Sequence, residues 1–216
     1  MLWSGGKDSA LALRRARSAG LDVARLVSFY DGPTGRVRFH ATRVEMLQAQ
    51  AAALCIELDA VGTTWPEMEG ALHARLAALR SEGFAGVVLG DIHLADVRAW
   101  YEERVIAAGL EHVEPIWGEP PQELVREFID GGGRAVITCV DLDRLDGAWL
   151  GRVIGPGFPE DIARAGVDPC GENGEFHSFA FEGPPFTERV EWEAGETRSE
   201  SRFLQLDLLP ARTAVT

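Results

Sequence analysis

Six consecutive residues near the start of the chain, Ser4-Gly5-Gly6-Lys7-Asp8-Ser9, bring two glycines, an ammonium, a carboxylate and two hydroxyls together. Glycines let backbone amides approach an anion closely, and an amphipathic stretch from Ala10 onward adds the unpaired N–H groups and positive dipole end of a helix start. Phosphate is the anion such a loop accommodates. Lys7 can neutralise phosphate oxygens, while Asp8, which repels an anion, makes sense as the holder of a Mg²⁺ that the phosphates share. The pair implies a metal–nucleotide complex. The Walker pattern is absent, because the residue after Lys7 is an acid. The plainer alternative is that Asp8 and Ser9 only stabilise the first turn of a helix.

A second concentration of chemistry lies far away, in Gly166-Val167-Asp168-Pro169-Cys170-Gly171-Glu172-Asn173-Gly174-Glu175-Phe176-His177. Glu172, Asn173, Glu175 and His177 could grip a polar substrate, and residues 175 and 177 share a face if a strand begins there. Cys170 as a nucleophile would need an adjacent base, so a partly buried structural thiol is the simpler reading.

These groups must be carried by regular elements. The pattern predicts helix 10–19, strand 23–30, a helix through Val44, Leu47, Ala51 and Leu54, and strand 56–61. It continues with helix 67–81, strand 86–90, helix 95–108, strand 113–117, helix 121–131 and strand 134–140. Such alternation argues for a parallel α/β sheet with ligands outside the strands' carboxyl ends, where Gly90 and Asp91 fall. Beyond residue 155 the pattern changes to a short helix, 159–165, and antiparallel strands 176–181, 189–193 and 203–208, with a turn at Ala194-Gly195-Glu196. Residues 211–216 read as a disordered tail.

Only three residues precede the phosphate loop, where a strand usually has about 5–6, so the native start is expected upstream. Asp91 suits either ligand contact or helix capping, and His93 either lines the site or does not. Arg98 and Glu102 read by default as a surface i,i+4 pair. His40, His73 and His112 read as surface or packing residues. Trp65, Trp100, Trp117 and Trp149 read as core or interdomain packing.

At 216 residues the chain can form one large domain or a larger and a smaller one. No run approaches the roughly 18 apolar residues of a membrane span, no signal peptide is visible, and the three cysteines include no Cys-x-x-Cys pair. The cytoplasm is the expected compartment. A formal charge of −13 argues against a nucleic-acid partner.

The loop Ser4 to Ser9 resembles the pyrophosphate loop of the N-type ATP pyrophosphatases. Taken with Gly90-Asp91-Ile92, Arg98, Trp100-Tyr101-Glu102, Pro115-Ile116-Trp117 and Gly166 to His177, it makes nearly the whole chain closely similar to the diphthine-ammonia ligase family. The resemblance implies an ATP-binding, HUP-type α/β domain over residues 1–117. A smaller C-terminal α+β domain with antiparallel strands would cover 118–210 and bind substrate, with the active site between them. It implies ATP, Mg²⁺, ammonium and a carboxylate as partners: ATP activates the carboxylate of diphthine, a modified histidine on elongation factor 2, and ammonia then displaces AMP.

On that resemblance Ser4, Gly5, Gly6, Lys7, Asp8, Ser9 and Gly90 hold the nucleotide, and the backbone near Ser28 and Phe29 meets adenine. Asp91, Arg98, Glu102 and Asn173 meet substrate; Lys7, Asp8, Glu172, Glu175 and His177 carry the chemistry, with Asp8 on the metal. The residues alone do not rank Glu172, Glu175 and His177 as proton acceptor. Two other readings stay open: a tRNA-modifying ATP pyrophosphatase, against which the acidity argues, and a non-catalytic nucleotide-binding domain, which would not need a second acidic loop.

Overall fold

The computed structural model describes residues 1–37 and 40–211. The expected tail lies, apart from residue 211, outside them. The chain opens with a segment, residues 1–3, in which Leu2 bridges Val27 in parallel and its N–H donates to the Val88 carbonyl at 3.0 Å. That segment joins two small parallel sheets. On one side β1 (Arg25–Asp31) pairs with β3 (Glu57–Thr63), and on the other β4 (Gly86–Val88) pairs with β5 (Glu111–Val113). The resulting order is β3, β1, residues 1–3, β4, β5, so the chain reverses its direction of travel across the sheet between residues 1–3 and β4. A crevice opens at such a reversal, outside the strands' carboxyl ends.

Helices cover both faces, which is why the central residues Leu26, Val27, Val87 and Val88 are buried. Against one face lie α1 (Lys7–Ser18), α2 (Val44–Leu54) and α5 (Pro121–Asp130), burying Leu11, Leu13, Leu47, Leu54 and Leu124. Against the other lie α3 (Met68–Ser81) and α4 (Ala95–Ala107), with Leu72, Leu76, Leu79 and Val105 turned onto Val27, Val87 and Leu89. A two-residue strand, β2 (Arg36–Val37), pairs antiparallel with the end of β1 at Tyr30 and Asp31, on the side away from β3, and was not foreseen.

The remaining elements form an antiparallel sheet. Its centre is β6 (Arg134–Asp141), flanked by β7 (Val153–Ile154), β8 (Phe176–Glu182) and β10 (Phe203–Pro210), with β9 (Trp192–Glu200) at the edge. Helix α6 (Phe158–Ala165) packs nearby, its far end closed by Gly166 at φ +72°. The sequence expectation that strand 134–140 continues the parallel series is corrected: all three of its neighbours run antiparallel to it. A strand buried along nearly its whole length looks the same in either sheet, so periodicity could not tell. The fifth parallel strand ends at Val113, short of the expected 113–117. The last hairpin turns at Ser201-Arg202, with Ser201 at φ +56°, not at Gly195, which lies inside β9. Gly195 is needed there because a Cβ would meet the Asp207 backbone oxygen at 3.2 Å. The acidic stretch 191–200 lies mostly exposed along that edge strand, and Pro210 closes β10.

Candidate functional site

Gly6 caps α1 with extended backbone and no side-chain cap, so Lys7, Asp8 and Ser9 occupy the helix's first turn. Gly5 holds φ +81°, and a Cβ there would strike Leu47 Cδ2 at 2.7 Å and Gln50 Oε1 at 2.8 Å. Only glycine fits that turn. Its carbonyl accepts from Ala180 N–H at 2.9 Å and from Gln50 Nε2 at 2.9 Å, and Gln50 Nε2 also donates to the Ala180 carbonyl. Trp3 Nε1 holds Gln50 Oε1 in turn. The amide of Lys7 donates to Ser178 Oγ at 3.3 Å. Strand β8 of the antiparallel sheet is thus bonded directly onto the glycine loop of the parallel one.

The loop forms one wall of a cavity of about 710 Å³, within the range of ligand pockets. Of the residues named from sequence, Ser4, Gly6, Lys7, Asp8, Ser9, Phe29, Gly90, Asp91, Glu172 and His177 line it. Gly90 is close-packed on the start of α1, where a Cβ would lie 3.3 Å from the Asp8 carbonyl. Ser28 is buried just behind, donating its hydroxyl to the Trp3 carbonyl.

Lys7 is the hub. Its Nζ donates to both oxygens of Asp8, at 2.8 and 3.0 Å, and to the carbonyl of Cys170. Burial works against its charge, but Asp8, with Cys170 and Glu172, holds the ammonium above the ordinary lysine value. Opposite, Glu172 Oε1 accepts from Ile92 N–H at 3.0 Å. Burial, with Asp8 and Asp91 acting in the same direction, raises Glu172 to about 7. Burial and Asp8 raise Asp91 to about 6. Three carboxylates of one sign crowd a partly dry crevice, a setting that favours a cation or a proton. Among the described residues no three or more His, Cys, Asp or Glu side chains are grouped to hold a metal.

Other named residues stand elsewhere. Glu175 is buried behind the loop, where its Oε1 accepts from Asp168 N–H at 3.4 Å and Asn173 Nδ2 at 3.3 Å. Neither Glu175 nor Asn173 borders the cavity. Residues 175 and 177 do not share a role because Glu175 precedes β8, before its alternation begins. Arg98 turns away to Glu114, with Nε 2.9 Å from Oε2, and stacks over Trp117 at 4.6 Å; Glu102 stands 3.8 Å from its guanidinium. Burial pushes Glu114 up to about 7. His93 sits 3.9 Å from Asp168, off the cavity. Burial pushes the Cys170 thiol far up, as befits a structural group, and Sγ donates to the Pro121 carbonyl.

Two sequence readings are corrected. His40, read as a surface or packing residue, lines the cavity and stacks on His177 with ring centroids 4.6 Å apart. Trp65, read as core or interdomain packing, is 62% exposed at the cavity's edge, and Trp100, read in the same way, lines it together with Tyr101. No local signal marked His40, whose loop meets residues 177 and 178 only through tertiary folding. The hydroxyl of Ser178 was missed for the same reason.

An α/β protein with a glycine-rich anion loop at the sheet's reversal point, facing a carboxylate wall from an antiparallel sheet, belongs to the class of nucleotide-dependent enzymes. Residues 1–112 match the family model for the diphthamide synthase N-terminal domain, and residues 120–206 match that for the diphthamide synthase C-terminal domain. The chain therefore belongs to the diphthine-ammonia ligase family. No curated protein matches it.

Proposed function

We propose that this chain is an ATP-dependent, AMP-forming amide ligase that joins ammonia to a substrate carboxylate, with diphthine on elongation factor 2 as the acceptor its family points to. One observation carries the reading: Lys7 Nζ bonds both Asp8 in the glycine loop and the carbonyl of Cys170 in the acidic loop, so the two motifs border one cavity. The loop amides and Lys7 would bind the β and γ phosphates. Asp8, a carboxylate in a crowd of like charges, fits Mg²⁺, with nucleotide oxygens supplying its other ligands. When bound, the ion would offset charge on the departing pyrophosphate.

A substrate carboxylate oxygen attacks the α phosphorus and the bond to the β-phosphate oxygen breaks, releasing pyrophosphate and leaving an acyl adenylate. Ammonia then attacks the acyl carbon, and AMP leaves with the carboxylate oxygen. Ammonium must first lose a proton, and Glu172 is the acceptor the geometry favours: it faces the cavity and is raised to about 7, whereas Glu175 faces away. His177 is pushed far below its ordinary value by burial, with His40 and Lys7 adding to it, and is a poor proton acceptor at neutral pH. Adenine would lie toward Phe29, the hydrophobic end of the same wall.

The test is incubation of the full chain with ATP, Mg²⁺, ammonium and diphthine-bearing elongation factor 2. AMP and pyrophosphate in equal amounts are expected, together with the amide. Steady release of ADP would overturn the assigned bond cleavage.

A further inference from the structure

His40 sits in a position its sequence neighbourhood does not advertise. A methyl group placed on Gly6, the second glycine of the loop, would stand 3.4 Å from His40 Cε1 and 3.3 Å from the Ser178 carbonyl. The imidazole is therefore laid directly against the anion loop, on the cavity side. Its other neighbour is the His177 ring, tilted at 43°. Its Nδ1 is buried and makes no hydrogen bond within the described residues. Burial, reinforced by the charge of Lys7, lowers its pKa to about 4 against a hydrogen bond with the Ser178 backbone that works the other way, so the ring is neutral at pH 7 and has one N–H, for which a phosphate would compete with the Ser178 carbonyl.

The segment that carries His40 is anchored from the other sheet. Asp207 on β10 accepts from Arg36 Nη1 at 2.7 Å, from Arg43 Nε at 2.8 Å and from Arg43 Nη2 at 2.7 Å. Arg36 Nη1 also donates to the Ala41 carbonyl. Asp207 is buried, and the two guanidiniums hold its carboxyl far below the usual range despite that burial. A bidentate, charge-assisted bracket of this kind fixes geometry as well as charge. It grips the chain on both sides of His40.

We propose that His40 is a further phosphate-binding residue, donating a ring N–H to the phosphate chain held over Gly6, with Asp207 as the positioning residue that sets it there. The inference rests on the ATP reading above. A neutral imidazole adds a directional donor without adding a second full charge beside Lys7, and its ring already rests against Gly6 and His177 before ligand arrives, so little ordering remains to be done on binding. The same donor would follow the pyrophosphate as it leaves, because the contact is to the β and γ groups and not to the transferred adenylyl group.

Calorimetry on the full chain separates this role from a packing role. Inorganic pyrophosphate with Mg²⁺ serves as the phosphate probe and adenosine as the phosphate-free probe. For His40→Ala the expected result is roughly ten-fold weaker pyrophosphate binding, the scale of one hydrogen bond to a charged group, with adenosine binding unchanged. His40→Asn and His40→Gln keep an amide donor, and at least one of them should restore part of the loss. Equal weakening of both probes, or no change with pyrophosphate, would overturn the proposal. In the unmutated protein the His40 ring nitrogen resonances should move on adding pyrophosphate and stay put with adenosine; resonances indifferent to pyrophosphate would also overturn it, whatever the variants do. If the unmutated chain binds neither pyrophosphate nor ATP, the ATP reading itself falls, an outcome distinct from a loss confined to His40→Ala.

Discussion

The glycine loop and the carboxylate wall face each other across one cavity, yet they are built by opposite means. The loop is local: residues 4–9 set the backbone turn, the helix start and the ammonium within two turns of chain. The wall is assembled from Asp91 after β4 and Glu172 before β8, and the two segments meet where the Ile92 amide donates to Glu172 Oε1. A locally built anion site can be recognised by its spacing. A wall made of separated segments exists only once two sheets have docked.

The largest effect should come from cutting the link between the two. Lys7→Ala should lower pyrophosphate release from ATP by about 10²–10³-fold, the scale of losing one preorganised electrostatic partner. It also leaves Asp8 and Glu172 without the ammonium that acts on them. Steady-state pyrophosphate assays measure it, and near-normal turnover would show that the loop is not the phosphate site.

Next is Glu172→Gln, which keeps an acceptor for the Ile92 amide but cannot take a proton. Amide formation should drop by about 10²-fold or more while ATP-dependent adenylate formation continues. Single-turnover assays of adenylate and amide distinguish the steps. An equal fall in both would place Glu172 in nucleotide binding instead.

Gln50→Leu tests the seam itself. It strands the Ala180 carbonyl and the Trp3 indole inside the protein and removes one of the two donors to the Gly5 carbonyl. Leaving a buried polar group unpaired costs about 1–3 kcal/mol, so thermal unfolding should shift down by several degrees, with loop function lost alongside. A stable variant with normal phosphate binding would show that the loop holds its shape alone.

The smallest effect is a pH slope. Glu172 rises from 4.5 to about 7 and Asp91 from 3.8 to about 6 in the folded, ligand-free protein, and Glu114 shares the sign. Between those bounds these three carboxyls bind more protons in the folded state than in the unfolded one, so their contribution to stability falls as pH rises from about 4 to about 7. His40, lowered to about 4, His177 and the Met1 ammonium, lowered to about 5, act oppositely inside that window because each binds fewer protons in the folded state, whereas the contribution of Asp207 is lost only as pH falls below 3.8. Melting curves of Glu172→Gln, set against those of the unmutated protein, should lack the Glu172 share, so the variant should gain stability relative to the unmutated protein as pH rises from about 4 to about 7. A slope unaffected by that change would remove Glu172 from the coupled group.

Legibility followed range. Helix α5, with Pro121 at its start and Gly131 just past its end, was read to within one residue, because its signals lie in its own turns. The hairpin was misplaced because Gly195 answers to Asp207 across the strand pair, not to a turn. His40 went unread for the same kind of reason. Its meaning comes from Gly6, His177 and Asp207, each more than 30 residues away.

Sequence alone determined the alternation of elements, the phosphate-type loop at the first helix and the family. Each depends on short-range sterics, periodicity or the spacing of residue types. Only the tertiary structure decided that β6 leaves the parallel sheet, that Glu172 and not Glu175 faces the cavity, and that β8 is bonded to the glycine loop. Those outcomes depend on which apolar faces dock and which buried carbonyls find donors. Such pairings form between segments distant in the chain, and no local pattern records them.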